Sequence, residues 1–137
     1  MLFRSRDAAH RRNLEIVMIH DPARIDDQAV WIQSYNAPRS RVKGRRLTND
    51  MPVRRLIGEL SCEISGIWGD GDPGAGPYLD AFYDVLRTTR PDPKFVNIRG
   101  AGHWSPYEAP DRVHRALTAI LDGDPEGLFR NGRRVTI

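Results

Sequence analysis

Apolar positions follow two spacings along the chain, helical in its first part and strand-like in two short later runs. From Ser5 to His20 good helix formers dominate and Leu14, Val17 and Met18 share a face, which predicts a helix that Pro22 terminates. Ile25, Ala29, Ile32 and Asn36 form the face of a second helix, with Asp26 and Asp27 at its positive end and Pro38 at its exit. Thr48-Asn49-Asp50 reads as the N-cap of a short third helix through Pro52, Val53, Leu56 and Ile57, closed by Gly58. At Cys62 the spacing changes. Cys62 to Trp68 is a β-type run cut off by Gly69 and Gly71, and Phe95 to Ile98 is a second. Between them Leu79, Phe82, Tyr83 and Leu86 recur at helical spacing behind Pro77, a residue suited to a first turn. After the second run Pro110 opens a helix with Val113, Ala116, Leu117, Ile120 and Leu121 on one stripe and Gly123 past its end.

Strand, helix, strand, helix in that order predicts parallel pairing, and an α/β class with the site at the carboxyl ends of the strands. Each strand delivers one ionisable group there. The first ends in Trp68-Gly69-Asp70-Gly71-Asp72 and the second in Gly100-Ala101-Gly102-His103-Trp104. A carboxylate and an imidazole so placed are two parts of a nucleophilic triad, the histidine as proton carrier and the acid as its orienter. Asp70 and Asp72 are both candidates for the acid.

At these residues the chain resembles the α/β-hydrolase family. Its acid follows a strand in a G-x-x-D pattern, matched by Asp72, and its base lies in G-x-G-H, matched by His103. The resemblance implies the C-terminal part of that fold: the last two parallel strands with flanking helices over 61–123, preceded by an all-helical cap-like segment over 1–60 and followed by a loose tail over 124–137. It also implies ester or carbon–carbon hydrolysis of a small carbonyl substrate through a Ser-Asp-His triad, without cofactor or metal. The family's nucleophile sits in G-x-S-x-G. None of Ser5, Ser34, Ser40, Ser61, Ser65 or Ser105 has that frame, so the chain is expected to carry acid and base only and to be inactive alone. A separate N-terminal half or self-association would then cover the open sheet. Trp104, next to the base, and Arg12, Arg39 and Arg41 of the cap-like segment are the expected substrate contacts.

Composition changes this picture little. The content of 39% hydrophobic and 28% charged residues is that of a globular protein, and no apolar run approaches the roughly 20 residues of a membrane span. One cysteine and an N-terminus without an apolar signal region predict a cytoplasmic protein. From Arg39 to Arg55 seven basic residues stand against Asp50 in a chain of net charge +3. Such a patch offers a second reading, a non-catalytic remnant binding a partner or an anionic ligand. Without interleaved aromatics it makes a poor nucleic-acid surface. His10, His20 and His114 are not spaced as metal ligands. Cys62 is expected buried and inert, Tyr78 and Phe82 in the core, and His114 at the surface.

Overall fold

The computed structural model of the chain describes residues 2–41, 56–89 and 92–137, with side chains from residue 6 onward. The predicted cap at Thr48–Asp50 and most of the helix behind it lie outside the described residues, as does most of the basic run.

Helix α1 spans Leu2–Asn13 and continues as a wider π turn over Leu14–Met18. The chain leaves helical geometry at Ile19, ahead of the predicted stop at Pro22; that proline opens a single 3₁₀ turn capped by the Asp21 carboxylate. Helix α2 is Asp27–Asn36, later than predicted, because Asp26 is its N-cap and accepts from the Ala29 N–H at 2.8 Å. Leu14, Ile19, Ile25, Ala29 and Val30 form a core between these helices, and Trp104 and Tyr107 from the far end of the chain pack into it.

Strand β1 is Gly66–Gly69 and β2 is Phe95–Ile98, paired in parallel with Gly66 opposite Phe95. β1 is shorter than the Cys62–Trp68 run predicted. The ladder begins where the Gly66 N–H reaches the Lys94 carbonyl; upstream of Lys94 the partner strand is interrupted by Pro93. Cys62 falls outside the strand and is exposed, contrary to the expected buried thiol. Helix α3, Leu79–Thr89, connects the two strands behind a 3₁₀ turn at Gly76–Tyr78. Tyr78 is 59% exposed and not core, whereas Phe82 lies tilted against Trp68.

The largest departure is the tail. In place of a loose 124–137 segment, Arg134–Thr136 forms β3, parallel to β2, and the sheet order is β1-β2-β3. The fold class is mixed α/β with a three-stranded parallel sheet. Alternation along the strands divides the side chains between two faces. Ile67, Val96, Ile98, Val135 and Ile137 meet helix α5 (Pro110–Leu121) and the buried Phe129. On the other face Phe95 and Trp68 pack with Leu79, Phe82, Tyr83 and Leu86 of α3. The tail is held by Asp124, whose two carboxylate oxygens accept from the N–H groups of Leu128 and Phe129. The stripe of α5 is also rotated from the one predicted: Ala116 and Ala119 are buried, while Leu117 and Leu121 are 45% and 71% exposed. His114 is exposed, as expected.

Candidate active site

Beyond β1, the Asp70 N–H bonds the Ile98 carbonyl and the Gly71 N–H bonds Ala101, so the two strand-end loops form one unit. Gly69 permits this approach, since a Cβ there would lie 2.1 Å from the Ala101 carbonyl oxygen. Asp70 and Asp72 then take different tasks. Asp70 Oδ1 accepts from the Gly100 N–H at 2.6 Å and ties one loop to the other. Asp72 is 4% exposed, and its Oδ1 accepts from the N–H groups of Gly74 at 2.7 Å and Ala75 at 3.0 Å, a turn closed by its own side chain. Its Oδ2 is left for His103, with Nδ1 at 2.8 Å. The acid opposite the imidazole is therefore Asp72.

This contact decides the histidine's chemistry. Asp72 Oδ2 offers an acceptor, so Nδ1 carries the proton and Nε2 keeps its lone pair. Among the described residues Asp72 is the imidazole's one hydrogen-bonding partner, and the ring is half exposed. Burial pushes the Asp72 carboxyl up, but the bonds from His103, Ala75 and Gly74, with the positive charge of the ring whenever it is protonated, outweigh it and hold the group below its usual value. A lowered carboxyl contributes stability that is complete above the unfolded value of about 3.9 and is lost as pH falls through the folded one. In urea titrations the gap in midpoint between the wild type and Asp72→Asn should hold at neutral pH and narrow once pH drops below about 4. A gap independent of pH would contradict this linkage.

His103 opens onto a shallow cavity of about 380 Å³ lined also by Ile32, Trp104, Pro106 and Tyr107. One wall comes from α2 and the other from the His103 loop with the short helix α4, Ser105–Glu108. The Tyr107 hydroxyl donates to Asp26 Oδ1 at 2.5 Å, fastening α4 to the N-cap of α2. Burial and the Asp26 carboxylate together push the tyrosine up to about 12, and the same bond leads those that lower Asp26. Trp104 thus stands beside His103 in the cavity wall. The arginines do not join it: Arg12 pairs with Glu15 at 2.6 Å, Arg39 lies 3.7 Å over the Tyr35 ring, and Arg41 is exposed.

Sequence reasoning missed Glu108. It is 5% exposed and both oxygens are occupied, Oε1 by the N–H groups of His20 and Asp21 and Oε2 by that of Gly102. Its only signal was an acid among Trp104, Pro106, Tyr107, Ala109 and Pro110, where a surface carboxylate is not expected. Among the described residues no set of three His, Cys, Asp or Glu side chains is arranged to hold a metal ion, and no helix is long and apolar enough to cross a membrane.

Fold and site together define a mixed α/β protein with a carboxylate–imidazole pair at the carboxyl ends of adjacent parallel strands. Compared with known protein families, curated proteins and solved structures, the chain matches none.

Proposed function

We propose that this chain supplies the acid and base of a hydrolase of the α/β-hydrolase type, acting on an ester or a carbon–carbon bond of a small carbonyl substrate. The observation that carries the reading is the Asp72–His103 bond, which leaves an imidazole nitrogen free to accept a proton beside a cavity. In this mechanism Nε2 takes the proton of an attacking hydroxyl, Asp72 stabilises the imidazolium that results, and the proton then passes to the leaving group. The nucleophile and the donors for the oxyanion are assigned to a further segment, or to a partner chain. The open edge of β1 is a fitting place for it. Gly66 and Asp70 donate toward β2, so by alternation the N–H and C=O of Ile67 face away from the sheet, where no described strand pairs with them.

The test is hydrolysis of p-nitrophenyl butyrate by the protein purified from its source in its native assembly, beside the same assembly carrying His103→Ala. Loss of a triad histidine is expected to lower turnover by about a thousandfold or more, with the assembly intact on gel filtration. Absence of hydrolysis, or equal turnover by the variant, would overturn the assignment.

A further inference from the structure

The three bonds of Glu108 join parts of the chain that are far apart in sequence. His20 and Asp21 are the chain reversal between α1 and α2, and lie 88 and 87 residues from Glu108. Gly102 is the residue before His103. The distances are 2.9 Å to each of the first two and 2.5 Å to Gly102, and both carboxylate oxygens act as acceptors. Bonds from N–H groups to a carboxylate are roughly twice as strong as those between neutral partners. Burial withholds competing water. Beside this contact the Trp104 N–H donates to the Met18 carbonyl at 2.8 Å. His103 is therefore bracketed, its preceding residue held by Glu108 and its following residue by the helical segment.

The packing leaves no slack. A Cβ at position 102 would lie 2.7 Å from the His20 nitrogen, 2.8 Å from the Met18 carbonyl and 2.9 Å from Glu108 Oε2. The helical segment is thus seated directly on the backbone that carries the histidine. The ring itself is half exposed and among the described residues has one hydrogen bond, so its orientation depends on where its backbone is fixed.

We infer that Glu108 is a positioning residue, a buried carboxylate clamp that locks the His103 loop to the α1–α2 reversal and so holds the imidazole at bonding distance from Asp72. The clamp couples the two walls of the cavity: a ligand that shifts α2 pulls on the base through His20, Asp21 and Glu108. Its use in catalysis rests on the hydrolytic reading. The clamp itself does not.

Glu108→Gln is the informative change. A carboxamide has one acceptor oxygen, which can serve the His20 and Asp21 pair, but its NH₂ then meets the Gly102 N–H donor to donor. The reversal stays anchored and the loop is released. Two signals are read by proton NMR on the full chain: the His103 Nδ1 proton, held downfield by Asp72, and the exchange rate of the Gly102 amide. Glu108→Gln is expected to broaden the Nδ1 signal beyond detection and to speed Gly102 exchange at least tenfold. Asp124→Asn is the control, because Asp124 also spans two backbone N–H groups but lies in the tail. It is expected to lower the urea midpoint and leave both signals as in the wild type. An unchanged Nδ1 signal and Gly102 rate in Glu108→Gln, or equal losses in Asp124→Asn, would overturn the inference. Native-state hydrogen exchange on the unaltered chain decides the matter if the variant fails to fold. The amides of His20, Asp21 and Gly102 should open as one unit with the same denaturant dependence, and Gly102 exchanging tenfold faster than the other two would refute the clamp. Since neither readout is turnover, the clamp and the hydrolytic reading can fail separately.

Discussion

Phe95→Ala is expected to bring the chain close to its unfolding threshold. Phe95 is fully buried, stacks on Trp68 with ring centroids 5.2 Å apart and meets Tyr83 edge-on at 5.4 Å, so it joins β1, β2 and α3 at one point. Removing a buried phenyl ring costs about 3–5 kcal/mol, the lost transfer energy plus that of the cavity left behind. A domain of ordinary stability has about 5–15 kcal/mol to lose. With a urea dependence of about 1–3 kcal/mol per molar for a small domain, the midpoint should fall by more than about 1 M. Tyr78→Ala, at an exposed position of the neighbouring turn, should stay within about 0.5 kcal/mol of wild type. Equal effects from the two substitutions would mean that Phe95 is not the centre of this core.

Asp72→Asn should abolish the base without dismantling the site. In the wild type Oδ1 serves Gly74 and Ala75 and Oδ2 serves His103. The new amide has one oxygen, and the two backbone donors claim it. Its NH₂ then faces Nδ1, which must become the acceptor, and the ring proton moves to Nε2. That is the wrong tautomer for receiving a proton from a nucleophile. Where such a replacement misorients a triad histidine, turnover falls about 10⁴-fold, and a loss of that order is expected of the proposed hydrolytic activity. Nitrogen NMR of the imidazole gives a second check free of any assay, with Nδ1 protonated in the wild type and Nε2 in the variant. If the tautomer is unchanged, Asp72 does not orient His103 as described.

The Asp72–His103 pair was legible because glycine-framed strand ends are local patterns. Gly69, Gly71, Gly100 and Gly102 announced where each strand stops, and the topology of a parallel sheet then placed Asp72 and His103 side by side. The choice of Asp72 over Asp70 rested on the G-x-x-D match alone, because spacing by itself does not say which carboxylate the loop turns inward. Glu108 was hidden for the opposite reason: its partners at positions 20 and 21 are distant in sequence, and nothing near Glu108 names them. β3 was hidden by its length and its charge. Arg133 and Arg134 make it read as surface, yet Arg134 lies over the Phe95 and Tyr83 rings and pairs with Asp80, which spreads its charge along the rim of α3. Leu117 and Leu121 fitted a helical stripe by spacing, but the sheet buries the face centred on Ala116 and Ala119, where small residues allow close approach.

The order of the strands has a consequence for chirality. From β1 to β2 the chain crosses over the face covered by α3, and from β2 to β3 over the face covered by α5. Both crossings step in the same direction across the sheet, so they are of opposite hand, and one of them runs against the right-handed usage of parallel sheets. That usage reflects a single helix returning tightly onto twisted strands. The second crossing contains α4, α5 and the Asp124 turn, and is long enough to escape that constraint. β3 is therefore better regarded as a closing strip laid along β2 than as the next unit of a winding pattern. It covers the edge of β2 away from β1, so that among the described residues the margins of the sheet are β1, which leads into the Asp72 loop, and β3 on the far side.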